Sequence, residues 1–178
     1  GFRRSGAYIY RPSCPACDAC IPVRIPVDRF EAKRNQRRTS KNNQDLEINQ
    51  RPAWYSEEHF ALYRRYMGSR HPGGGMDEPD PQKYEEFLTS EWSDTWFVEF
   101  RLQGQLIAVA VVDRLEAGLS AVYTFYDPEL PARSLGTYAI LWEIEECRRL
   151  NLPHLYLGYW IRESPKMAYK DQFRPLEQ

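Results

Sequence analysis

Three thiols at even spacing, Cys14-x2-Cys17-x2-Cys20, stand in a stretch punctuated by Pro12, Pro15, Pro22 and Pro26. Thiolates this close together suit zinc or an iron-sulfur cluster, but three ligands leave a place in a four-coordinate site to be filled from elsewhere. The choice is open between a metal set and reduced structural thiols; a disulfide fits less well, because cytosolic thiols stay reduced. Cys147 falls in a helical pattern and reads as core.

A second site with chemical potential is the junction Tyr126-Asp127-Pro128, a short loop to Arg133, and then Ser134-Leu135-Gly136-Thr137. A strand running through a loop into a helix presents the unbonded N–H groups of the first helical turn, and Gly136 allows close approach, which suits a phosphate or a developing oxyanion. Asp127, with Tyr126 and Tyr123 beside it, can orient or deprotonate an attacking amine, or simply cap an Asx turn before Pro128. Arg133-x-x-Gly136 resembles half of an acyl-CoA pyrophosphate loop, but Tyr138 occupies a place where those loops carry a second small residue. Tyr123, Phe125, Tyr126, Tyr156, Tyr159 and Trp160, with Tyr169 beyond, can stack on a base, enclose an apolar aminoacyl side chain, or pack a core.

Charge is unevenly spread although the net value is -1: residues 1–51 hold 11 Lys and Arg against 5 Asp and Glu, and the rest 13 against 20. Arg34, Arg37, Arg38 and Lys41 concentrate the basic field, either as a grip on a polyanion or as a solvated face.

The elements that must position these groups follow from periodicity. Tyr8–Arg11 and Val23–Val27 are short extended pieces in an irregular, proline-rich front. Ser56-Glu57-Glu58 opens a helix that Phe60, Tyr63, Tyr66 and Met67 continue and that stops near Arg70-His71-Pro72; a flexible loop over 72–79 follows. Asp80-Pro81 opens a second helix, 81–91, with Tyr84, Phe87, Leu88 and Trp92 on its apolar face. Thr95–Leu102, Gln105–Arg114 and Leu119–Tyr126 read as an antiparallel meander. Ser134–Leu150 is a helix and His154–Trp160 a strand, so a crossover and a parallel pair are expected. The expected class is α+β, a largely antiparallel mixed sheet flanked by helices in the element order of GCN5-related acetyltransferase (GNAT) folds, preceded by a cysteine-bearing segment. Residues 1–50 form that basic front and 51–178 the transfer domain.

No run of about 18 apolar residues and no secretion leader is present, so neither a membrane span nor export is expected and the chain reads as cytoplasmic. It opens on Gly1 inside a patterned stretch, so an upstream segment is expected.

Gly1 to Gly6 (GFRRSG), Tyr10-Arg11-Pro12, the cysteine triplet leading into Ile21 to Ile25 (IPVRI), and Arg34 to Arg38 (RNQRR) resemble the N-end-rule aminoacyl-tRNA-protein transferases. So do the stretch from Arg70 to Met76, Ser120 to Pro128 (SAVYTFYDP), Ser134 to Leu141 (SLGTYAIL), Tyr156 to Ile161 (YLGYWI) and Lys166 to Lys170. The cysteine spacing and short format are similar to the bacterial branch, which implies leucine transfer from leucyl-tRNA to proteins beginning with Asp or Glu, marking them for degradation. An arginyl donor is the alternative within the family, an acyl-CoA N-acetyltransferase the rival within the fold, and a metal-organised RNA-binding module the non-enzymatic rival.

The resemblance implies a reaction that needs no cofactor, since the tRNA ester is already activated; an upstream cysteine is expected to complete any zinc or iron-sulfur site. Asp127, Tyr126 and Tyr123 are the expected catalytic group. Arg34, Arg37, Arg38 and Lys41 would face tRNA, with Ser134, Leu135, Gly136, Thr137, Tyr159 and Trp160 at its aminoacyl end. Arg70, His71, Ser120, Tyr169 and Lys170 would receive the acceptor N-terminus, with Arg37 and Arg38 as further candidates for its carboxylate.

Overall fold

The computed structural model describes residues 1–70 and 80–178; His71 and the loop expected over 72–79 lie outside the described residues. The expected meander is present as β5 (Asp94–Leu102), β6 (Gln105–Leu115) and β7 (Gly118–Tyr126), paired antiparallel in turn. Along β6, Ala108, Ala110 and Val112 enter one apolar cluster while Val109 and Val111 enter the other, so the central strand is buried on both faces.

Helices cover each face. On one side lie α2 (Glu57–Arg70) and α3 (Pro81–Leu88), whose Phe60, Tyr63, Met67, Tyr84 and Leu88 pack on Phe97 and Phe125. Glu57 and Glu58 sit at the positive end of α2. Asp80 caps α3, its Oδ1 accepting from Gln82 N at 2.8 Å and Lys83 N at 3.1 Å, with Pro81 at the first helical position. This helix ends at Leu88, short of the expected 91; Trp92 is outside it, half exposed, its indole N–H donating to Ala7 O at 2.9 Å. On the other side α4 (Leu135–Arg149) buries Ala139, Ile140, Ile144 and Cys147 against Phe100, Ala110 and Leu119.

The front half is more ordered than its prolines imply. β1 (Arg3–Ser5) and β2 (Tyr8–Tyr10) form a hairpin, and β3 (Ile21–Pro26) pairs antiparallel with β8 (His154–Trp160) at one edge of the six-stranded sheet. α1 (Arg34–Asn42) and β4 (Glu47–Pro52) follow, β4 closing the other edge, for a strand order β3-β8-β7-β6-β5-β4. A division at residue 50 therefore falls inside β4, and the segment before it supplies an edge strand on each side. α1 holds no apolar residue; buried Gln36 caps its start by accepting from Lys33 N at 2.8 Å and donates to Gln172 O at 3.3 Å.

β7 and β8 are parallel neighbours, joined through the α4 crossover as expected, but they pair only over Gly118–Ser120 against His154–Tyr156. Each then carries an irregularity, Val122 in β7 where Val111 faces Tyr123 and Val112 faces Ala121, and Leu157 in β8 where Val23 faces Gly158 and Arg24 faces Tyr156. Bulges bend strands and raise their twist, and here two of them turn neighbouring strands apart.

Candidate functional site

The parting of β7 and β8 leaves backbone carbonyls without strand partners, and two cations supply them. Arg3, from β1, donates through Nη1 to Ser120 Oγ at 2.9 Å and through Nη2 to Ala121 O at 2.6 Å. From the far end of the chain Lys170 Nζ donates to Tyr159 O at 2.5 Å. Gly158 has φ +75, and a Cβ there would lie 2.7 Å from Arg3 Nε, so this position needs glycine both for its backbone and for the arginine beside it. Arg4, next along β1, forms a bidentate pair with Asp113 on β6 and donates to Leu88 O at 3.0 Å, which fixes the hairpin over the sheet.

Burial shapes the charge of this seam. It lowers the Lys170 ammonium to about 8, helped by Arg3. Glu143 on α4 is fully buried, neither carboxyl oxygen has a hydrogen-bond partner among the described residues, and desolvation raises it to about 8 against the pull of Arg3. Tyr169, after α5 (Pro165–Ala168), is 43% exposed, yet its hydroxyl is pushed up to about 12, first by burial and then by Glu143 and Tyr126.

Several expected site residues meet here. Tyr126 packs edge-on against Tyr66 at 4.9 Å, and a Cβ on Gly136 would lie 3.2 Å from its ring, so the α4 N-terminus sits directly against β7. Tyr123 donates to Met67 Sδ at 3.5 Å and is raised by burial. Arg70, exposed at the end of α2, lies within electrostatic reach of Tyr66, Tyr123 and Tyr169. Tyr159 donates to Gly1 O at 2.9 Å, and Trp160 to Ala168 O at 3.3 Å. Ser134 stands at φ +51 before α4, with Leu135 buried and Thr137 half-buried.

Asp127 lies at the same end of β7, and each of its carboxyl oxygens accepts one hydrogen bond. Its Oδ1 accepts from Glu129 N at 3.0 Å, as the Asx-turn alternative requires, and its Oδ2 from Arg65 Nη2 at 3.1 Å. Arg133 is likewise held, pairing with Asp45 through two bonds of 2.9 Å.

Arg34, Arg37, Arg38 and Lys41 are exposed on α1. The loop after this helix is tied to the start of α4, where Asn43 Nδ2 donates to Arg133 O at 2.8 Å, so the basic surface leads toward the α4 N-terminus. Cys14 and Cys17 are exposed, Cys20 is half-buried, and all are free thiols. Among the described residues no group of three or more His, Cys, Asp or Glu is arranged to hold a metal ion. No described helix is long and apolar enough to cross a membrane.

Sequence reasoning passed over Arg3, Arg4 and Glu143. Both arginines stand in the patterned GFRRSG stretch, and Glu143 falls midway between Ala139 and Cys147, on the buried stripe of its helix.

Two parts of the chain match models of one sequence family: residues 1–38 its Arginine-tRNA-protein transferase N terminus and residues 58–178 its C terminus. The chain is 56% identical over 177 residues to an aspartate/glutamate leucyltransferase of Alcanivorax borkumensis, covering 99% of this chain and 73% of that protein. It is 57% identical over 178 residues to one of Nitrosococcus oceani, covering 99% and 75%. Among solved structures the fold is similar to L-PGS from Bacillus licheniformis (TM-score 0.59, 10% identity, 79% of this chain and 45% of that one) and to FemX (0.58, 8%, 82% and 54%).

Proposed function

Because the chain belongs to the arginine-tRNA-protein transferase family, we propose that it moves leucine from leucyl-tRNA onto the α-amine of proteins that begin with Asp or Glu, marking them for degradation. The observation that carries this is the identity of 56% and 57% to proteins named aspartate/glutamate leucyltransferase, extending over 99% of the chain. The seam between β7 and β8 is where we locate the reaction. It gathers aromatic rings, buried cations and an unpartnered carboxyl at the end of the sheet nearest the α4 N-terminus.

The donor ester is already activated, so the protein has only to hold an amine against the carbonyl, stabilise the oxyanion and let the ribose oxygen depart. The first-turn N–H groups of Leu135, Gly136 and Thr137 have no carbonyl within their own helix and suit the oxyanion or a terminal phosphate. Tyr123, Tyr126, Tyr159 and Trp160 offer faces for the terminal adenosine and the leucyl side chain. Lys170 and Arg70 take the acidic side chain of the acceptor. Arg34, Arg38 and Lys41 take tRNA phosphates, with Arg37 beside them. With both oxygens engaged, Asp127 holds the end of β7 in place.

The split parallel pair beside a helix N-terminus is read as a GNAT-like core that the cysteine-bearing front completes. A pyrophosphate-binding role for Arg133, which an acyl-CoA enzyme would need, competes with its pairing to Asp45. We place the protein in the cytoplasm, where charged tRNA is found. Any zinc or iron-sulfur group at Cys14, Cys17 and Cys20 would need a ligand from outside the triplet and takes no part in the transfer step.

Labelled leucine or arginine, supplied as charged tRNA, is offered with peptides beginning Asp, Glu or Ala. Leucine transfer to the Asp and Glu peptides alone is expected; arginine transfer would reassign the donor, and no transfer from either would end the enzymatic reading.

A further inference from the structure

Helix α1 is polar all round, so the apolar packing that holds most helices in place is missing from it. Phe30 before it and Leu46 after it lie in the core, and between them the helix is tied down by two buried amides, one near each end. Gln36 is 1% exposed; its Oε1 accepts from Lys33 N at 2.8 Å, which closes the start of the helix, and its Nε2 donates to Gln172 O at 3.3 Å. Gln172 ends the 3-10 turn Tyr169–Gln172 that carries Lys170, the residue whose ammonium donates to Tyr159 O at the seam. Phe173 N donates back to Lys170 O at 3.2 Å, so the carbonyl that Gln36 holds belongs to the same hydrogen-bonded turn as the lysine.

At the other end of α1, Asn43 Nδ2 donates to Arg133 O at 2.8 Å and to Thr39 O at 2.9 Å. The helix that exposes Arg34, Arg38 and Lys41 is thus tied through one amide to the Lys170 side of the seam and through the other to the start of α4.

Resting on the transfer reading, we propose that Gln36 is a positioning residue through which tRNA on α1 steadies the Lys170 turn, so that an acidic acceptor binds more tightly once tRNA is in place. Phosphates that engage Arg34, Arg38 and Lys41 restrain the helix. The Gln36–Gln172 bond carries that restraint to the turn, and the acceptor carboxylate then meets an ammonium whose ordering has already been met. The effect is reciprocal, because a coupling free energy belongs to both sites: the acceptor tightens tRNA by the same factor. Gln36, being buried, touches neither substrate and acts through Gln172 alone.

The test is the affinity of a labelled Asp-initiated peptide, read by fluorescence anisotropy with and without saturating uncharged leucine-accepting tRNA, for the wild-type protein and Gln36→Glu. Glutamate keeps an acceptor oxygen for Lys33 N, as in a capping box, and removes the donor to Gln172 O. The wild type is expected to bind the peptide about tenfold more tightly with tRNA present, and the variant to bind it equally with and without. The ratio is the readout because a merely structural loss lowers both affinities together. A wild-type ratio of one, or a variant that keeps the wild-type ratio, overturns the proposal. Should Gln36→Glu not fold, Gln36→Met decides on the same ratio, being neutral and close to glutamine in size. Leucine transfer by the wild type is measured alongside: an active wild type with a ratio of one fails the coupling alone, whereas a wild type that transfers no leucine from leucyl-tRNA to this peptide fails the transfer reading itself.

Discussion

Arg4 and Asp113 meet through two parallel hydrogen bonds, Nε to Oδ2 at 2.6 Å and Nη2 to Oδ1 at 2.8 Å, with both side chains more than nine-tenths buried. The pair joins the first strand of the chain to the middle of the sheet, and Thr95 Oγ1 donates to the same carboxylate at 2.7 Å. Arg4→Ala strands a buried carboxylate and is expected to cost about 3 to 5 kcal/mol in urea unfolding. Replacing both partners, as Arg4→Met with Asp113→Leu, is expected to recover most of that loss.

Gly158 and Arg3 share one small space. Gly158→Ala brings backbone strain of about 1 to 2 kcal/mol at a positive φ and drives a methyl against the guanidinium. Leucine transfer and stability are both expected to fall, and the damage of Gly158→Ala should be smaller in an Arg3→Ala background. A double-mutant cycle reads this coupling; strict additivity would mean that the two do not touch.

For tRNA, the exposed cations of α1 make an ionic-strength prediction. Reversing Arg34, Arg38 and Lys41 to Glu is expected to weaken tRNA binding and to flatten the plot of log affinity against log salt by about one unit for every phosphate no longer neutralised. Filter binding at several salt concentrations checks it, and an unchanged slope would move the tRNA elsewhere on the surface.

Glu143 and Lys170 oppose each other in their effect on stability. Glu143 is raised from 4.5 to about 8, so between those values the folded state holds a proton that the unfolded chain has lost, and stability falls as pH rises through that window. Lys170 is lowered from 10.5 to about 8, so above pH 8 the unfolded chain holds the extra proton, and stability rises toward pH 10.5. The two together predict a minimum near pH 8 in urea unfolding followed from about pH 5 to 10. Glu143→Gln should remove the falling limb, which is on the order of 4 kcal/mol, and leave the rising one.

Most of the sheet is legible in the amino-acid sequence. The meander, the crossover helix and β8 carry strong apolar periodicity, and their bounds shift by only a residue or so. α1 is not legible, because a helix spelled Arg-Asn-Gln-Arg-Arg-Thr-Ser-Lys-Asn has no apolar stripe and is held by the side chains of Gln36 and Asn43 instead. β4 escapes for a similar reason: nearly all of its residues are exposed at a sheet edge. At the site, the aromatic cluster and Lys170 can be anticipated, but the reach of Arg3 across 117 residues to Ser120 is a tertiary fact with no local trace. Glu143 is hidden by its company, since Glu145 and Glu146 beside it make the helix look acidic and solvated, although its spacing from Ala139 places it inside.

The divided seam also orders events in time. During synthesis Arg3 leaves the ribosome 117 residues ahead of Ser120, whereas Lys170 follows Tyr159 by only 11. A nascent chain that has not yet made β7 has a guanidinium with no seam to fill, and one that has not yet made residue 170 has a β8 carbonyl without its ammonium. Domains fold as their chain becomes available, so the seam is complete only after both cations have emerged. A chain that stops between Trp160 and Lys170 therefore has every strand of the sheet and a seam still unfilled at the Tyr159 carbonyl.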